Sequence, residues 1–341
     1  MKTYHHTVLL ALFLPLWAFA QQPSPNVPCK SGTPTEQARC LLRPVGKYGL
    51  LGPTRITLPD PLENIIGKRV GLTARELRAY LAKLQIDEAD LGGSVFAKIS
   101  QNDRKIPARY FVIHDTGTPT LEKDSSFPAD MNESGWSYND FGFYPVLAHV
   151  IINRIGASAT KATFDTPLAT TQYEKEKEDR VGLFLSVSLI QPRMRDETGL
   201  DALAPEEGFT LAQYDRLALV YIAASVRKGY WLVPAFRASV DAGLSEAHDA
   251  PQRFDLSLWA ERMTQLTNDL KINTKATPRN TNRARPRGTS STKTQTNERK
   301  KPQTSKSTRT SSGNTTTNSK SKPSNAQNQN SMKPTARTNN R

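Results

Sequence analysis

From Lys271 to Arg341 the sequence holds no aromatic residue and almost nothing apolar, running instead through Thr, Ser, Asn, Gln, Pro, Lys and Arg. A segment of that composition cannot bury enough surface to offset the entropy of ordering its backbone, so any fold must be made by the residues before it. The same break divides the charge. The 71 residues of the tail contain 17 Lys and Arg against one acid, Glu298, and so carry +16, whereas the whole chain carries +14. Residues 1–270 are therefore slightly acidic, with 29 basic and 31 acidic side chains. The high isoelectric point belongs to the tail and says nothing about the domain.

The opposite end reads as a secretory signal peptide over residues 1–20: Lys2, an apolar run from Val8 to Phe19 broken by Pro15, then Ala18-Phe19-Ala20 ahead of Gln21. A membrane anchor would need roughly 20 consecutive apolar residues, and this run is shorter. No later stretch is long and apolar enough to span a bilayer, so the mature chain is expected to be soluble and exported, periplasmic or secreted. Cys29 and Cys40, the two cysteines of the chain, would then meet oxidising conditions and pair. Closing so short a loop contributes about 2 to 3 kcal/mol in the chain-entropy account and would pin the Pro-rich leader, residues 21–60. For an exported chain the polyanions within reach of the basic tail are wall carboxylates, phosphorylated envelope polymers and lipid head groups, and not nucleic acid. A solvated tail with no partner is the plainer alternative.

Residues 61–270 are expected to form one domain. Thr73-Ala-Arg-Glu76 has capping-box spacing, and Leu77, Tyr80, Leu81 and Leu84 fall on one helical face behind it. Thr210-Leu-Ala-Gln213 repeats the device ahead of Leu217, Val220, Tyr221 and Ala224. A third helix is expected after Asp255, with Leu256, Trp259, Met263 and Leu266 inward. Between them, Tyr110 to Ile113, His149 to Ile152 and Gly182 to Ile190 read as strands, the last by alternation, and Asn139-Asp140-Phe141-Gly142 as a turn leading into the second. Strands among capped helices predict an α/β domain, a mixed central sheet flanked by helices.

Two short segments carry the candidate chemistry: Tyr110-Phe-Val-Ile-His114-Asp-Thr-Gly and His248-Asp-Ala-Pro-Gln-Arg-Phe-Asp255. His114, His248 and Asp255 would supply two nitrogens and one oxygen to a zinc ion and leave a fourth position for water, the donor set of a catalytic site. Each residue also has a plainer role. Asp255 is a good N-cap for the helix beginning at Leu256, His248 could be an ordinary loop residue, and a histidine at a strand end is often only a satisfied polar group.

The order of these motifs resembles that of the type-2 zinc-dependent N-acetylmuramoyl-L-alanine amidases, whose fold is shared with peptidoglycan recognition proteins. Val112-Ile113-His114-Asp115-Thr116 is similar to the strand that ends in the family's first zinc histidine. Ala148-His149-Val150-Ile151-Ile152-Asn153-Arg154-Ile155-Gly156 follows its middle strand except that Val150 replaces an aromatic residue. Gln213, Tyr214, Leu217 and Ala218 resemble the helix before the site, and His248 and Asp255 its late ligand pair. The resemblance spans about Ala108 to Leu266. It implies an exported Zn2+ enzyme acting on peptidoglycan, cleaving the amide between N-acetylmuramic acid and L-alanine, with zinc polarising the carbonyl and activating water.

The helper residues depart from that pattern. Where the resemblance implies a Glu on the strand Gly182 to Ile190, the chain has Ser186 and Ser188, and Ala148 stands where a Tyr would. Arg253, two before Asp255, would replace a Lys as oxyanion donor. Asp115 and Asp249 are the nearest acids able to serve as base, or else to hold a neighbouring loop. The departures leave a second reading: a module of the same fold that binds peptidoglycan without cutting it.

Overall fold

The computed structural model describes residues 28–271, apart from Leu200, Asp201 and His248; the expected signal peptide and basic tail lie outside the described residues. The helices form where the caps predict them. Thr73 and Thr210 each close a capping box, on α3 (Ala74–Lys83) and α5 (Leu211–Lys228). Asp255 caps α7 (Leu256–Asp269) through its side chain, which accepts from the Leu258 N–H. Shorter helices are α1 (Pro34–Leu41), α2 (Asp60–Glu63), α4 (Gln172–Lys175) and α6 (Arg237–Val240). Leu77 and Leu81 are buried on α3, and Trp259 and Met263 on α7, the i,i+4 stripes read from the sequence.

The strands are β1 (Tyr110–Asp115), β2 (Thr120–Leu121), β3 (Val150–Ile152), β4 (Ser158–Thr160), β5 (Phe184–Leu189), β6 (Arg193–Arg195), β7 (Ala202–Leu203) and β8 (Val233–Phe236). Five of them form a mixed sheet in the order β4-β3-β5-β1-β8, in which β4 alone runs antiparallel to its neighbour. A small second sheet has the order β2-β6-β7. Every residue of β1 and β5 is buried. The alternation along Gly182 to Ile190 therefore does not mark one solvent face. β5 sits in the middle of the large sheet with both faces covered, as parallel strands require. β8 has no counterpart among the predicted strands because its second residue is Pro234. It is an edge strand, where a missing N–H costs no ladder bond on the open side.

The leader joins the same core. Cys29 and Cys40 form a disulfide, and Cys40, Leu41, Leu42, Leu58 and Leu62 are buried with the strand and helix residues of the main cluster. A second cluster, Met131, Trp136, Tyr144, Ile151 and Ile190, packs the loop before β3, where the predicted turn consists of two 3-10 turns, Ser137–Asn139 and Phe141–Phe143. Among the described residues no helix is long and apolar enough to cross a membrane.

Candidate functional site

The carboxyl ends of β1 and β8 lie side by side, since Ile113 pairs with Phe236, and on the other side His114 pairs with Ser188 of β5. The next residues, His114 and Asp115 from β1 and Arg237 from β8, open into a cleft of about 530 Å³ that also takes Leu147, Lys175, Arg193, Arg195 and Asp249 into its walls. This is where open α/β sheets place ligands, because the strand ends project side chains while the loops beyond them remain free to vary.

Arg193 organises the floor. Its Nη2 lies 2.9 Å from each oxygen of Asp115, and its Nη1 lies 2.9 Å from Asp249 Oδ2 and 2.9 Å from the Ala202 carbonyl. The backbone N–H groups of Gly117 and Gln252 also donate to Asp115. Burial pushes the Asp115 carboxyl upward, against the pull of Arg193. Both partners are nearly inaccessible, at 4% and 1% side-chain exposure, so the pair is held by geometry and not by solvent. A carboxylate with both oxygens so engaged is poorly available as a general base, and Asp115 ties the segment after His248 to the end of β1.

The other residues read from the sequence separate into cleft and framework. His114 is buried at the cleft, with Nδ1 3.2 Å from the Asp115 carbonyl. His248 lies outside the described residues; its neighbour Asp249 lines the cleft. Asp255 is exposed, caps α7 and is not among the cleft-lining residues. Arg253 is exposed, has φ +58° and lines a separate pocket with Gln252 and Phe254, where its ionic neighbour is Glu206 at 3.9 Å.

The middle motif is framework. His149 Nδ1 accepts from the Ser186 N–H and Nε2 lies 3.1 Å from the Thr166 carbonyl, which makes Nε2 the donor; burial lowers its pKa to about 4. Arg154 is buried on Asn132, Gln191 and the Gly208 carbonyl. Gly156 has φ +79°, and a Cβ there would stand 2.8 Å from Ala212 at the start of α5. Gln213 donates to the Ile190 carbonyl and so joins α5 to the end of β5.

Among the described residues no group of three or more His, Cys, Asp or Glu stands ready to hold a metal ion. The described cleft donors are one imidazole and two carboxylates that Arg193 already engages, and His248, the second imidazole of the expected set, lies outside the described residues. Lys175, Arg195 and Arg237 add positive charge to the walls. The arrangement suits capture of an anionic ligand. Sequence reasoning missed Arg193 and Arg237, whose partners are brought to them by the fold.

Neither family models, curated proteins nor solved structures gave a match to this chain.

Proposed function

We propose that this is an exported protein that binds peptidoglycan fragments in the cleft at the end of β1 without hydrolysing them. One observation carries the reading: Arg193 engages both carboxylates that line the cleft, while Lys175, Arg195 and Arg237 stay in its walls, so that basic side chains outnumber acidic ones there. The site thus offers cations to a ligand and no unengaged acid among its described lining residues. Wall peptides carry carboxylates, and the rim is apolar enough for a sugar ring, with Leu147 in the cleft wall and Phe143 and Val146 exposed on the same loop. The motif order from Ala108 to Leu266 supports an amidase-like fold for this α/β domain, and Ser186 and Ser188 in place of an acid support binding over turnover. Export rests on residues 1–20. The basic tail would hold the protein near anionic envelope polymers. Calorimetry of the mature chain with a purified muropeptide should give saturable binding and, by mass spectrometry, unchanged ligand. Affinity no better than for an unrelated glycan would reject the reading.

A zinc-dependent N-acetylmuramoyl-L-alanine amidase is the second reading. It is favoured by His114 and Asp249, the neighbour of His248, lining one cleft. It requires release of free peptide stems from purified sacculi, abolished by chelator and by His114→Ala.

A further inference from the structure

Arg237 is 7% exposed, yet it opens into the cleft. Its Nε is buried without a hydrogen bond, and its ionic partner is Asp241, with Nε 3.5 Å from Oδ2. Nε is the guanidinium nitrogen that is buried and unpartnered, which leaves the two Nη groups as the part of the fork that can meet a ligand in the cleft. Asp241 is itself fully buried: Oδ1 accepts from the Tyr173 N–H, and Oδ2 has no hydrogen bond. A guanidinium presents five N–H donors in a planar fork, and a buried donor left without a partner, as Nε is here, is costly. The fork can be satisfied bidentately by a planar acceptor of opposite charge. Lys175, in the same cleft, is exposed and has no ion pair among the described residues. Asp115, the nearest cleft acid on β1, is held by Arg193 and cannot serve as that acceptor.

We propose that Arg237, oriented by Asp241 and assisted by Lys175, is the receptor for a carboxylate of the bound ligand, so that the protein selects wall peptides with a free carboxylate over their amidated forms. This rests on the binding reading above and names the chemical class that the site prefers. Arg237 follows β8 directly and stands beside His114 at the sheet end. The carboxylate it holds therefore sits at the same sheet end as His114, in the cleft that Leu147 also lines.

The test is calorimetry of the mature full-length chain with a synthetic muramyl tripeptide in two forms, free acid and carboxamide. The wild type should bind the acid at least tenfold more tightly. Arg237→Gln should erase that preference, Arg237→Lys should restore part of it because charge returns without the fork, and Lys175→Gln should weaken the acid about threefold. Equal affinity of the wild type for the two forms overturns the proposal, as does an Arg237→Gln protein that folds and keeps the preference. If Arg237→Gln fails to fold, Lys175→Gln decides: an unchanged affinity for the acid counts against the site. If the wild type binds neither form, the wall-fragment reading fails separately. Citrate then replaces the tripeptide, and its stabilisation of the wild type in a melting experiment must be lost on changing Lys175 or Arg237 for the carboxylate site to stand.

Discussion

The segment from Asp249 to Asp255 divides between two environments. Asp249 and Ala250 line the cleft beside His114, whereas Gln252, Arg253 and Phe254 line a separate pocket and Asp255 opens α7. The two halves are held by different forces. Asp249 is fixed by a charge network: Arg193 joins it to Asp115, and Gln252 Nε2 donates to it at 2.6 Å. Gln252 joins the two, and beyond it the far half is fixed by aromatic packing and a cap. Phe254 makes edge or tilted contacts with Phe209, Tyr214, Phe236 and Trp259, and Asp255 accepts from Leu258. A run that reads in sequence as one ligand loop thus serves the cleft with its first residues and the core with its last.

The largest effect should follow from Arg193→Ala. Removing the guanidinium leaves Asp115 charged and buried with no counter-ion, and loss of one partner from such a pair typically costs about 3 to 5 kcal/mol. Urea denaturation should show a loss of that size, and a loss below about 1 kcal/mol would mean that the network does not hold the cleft half.

Glu174, one residue before the cleft-lining Lys175, adds a second buried carboxyl held by other means. Its Oε2 accepts from Thr170 and Thr171, while burial raises its pKa to about 7. The folded protein keeps this proton between the ordinary carboxylate range and pH 7, where the unfolded chain has released it. Stability from this group is therefore greatest in acid and is lost as the pH rises through about 7. Glu174→Gln should match the wild type at about pH 4 and exceed it at about pH 8 by roughly 3 kcal/mol, the value of a shift of that order. Parallel melting curves at both pH values would show that the buried carboxyl does not titrate in this range.

Smaller changes are expected at the far half. Asp255→Ala removes the cap of α7 and should cost about 1 kcal/mol of stability, with Asp255→Asn close to neutral because Asn caps equally well. Neither should alter affinity for the muropeptide or the zinc content of purified protein. Loss of bound zinc in Asp255→Asn would join the two halves again as a ligand loop. Arg253→Ala, exposed and 3.9 Å from an exposed Glu206, should change stability by less than about 0.5 kcal/mol and leave binding intact.

How much of this was legible follows from how local each determinant is. The capping boxes at Thr73 and Thr210 span four residues, with two between the partners, and were readable, as were the apolar runs that became β1 and β5. Strand β8 was not, because four residues containing Pro234 carry no period. The second sheet is made of strands of two or three residues, too short for any pattern. Asp255 offered two local readings, cap and ligand, and only the cap depends on its neighbours alone. Arg193 finds Asp115 78 positions away and Asp249 56 positions away, and Arg237 gains its meaning from lying beside β1. Such juxtapositions are products of topology, and nothing in the spacing of these residues announces them.

The most direct measurement is to incubate the mature protein with a muramyl tripeptide in zinc-supplemented and chelator-treated buffer, recording affinity by calorimetry and products by mass spectrometry. Equal affinity in both buffers with the tripeptide intact is the predicted result. Zinc-dependent release of the free peptide, abolished by His114→Ala, would contradict it and establish the cleft as a hydrolytic site.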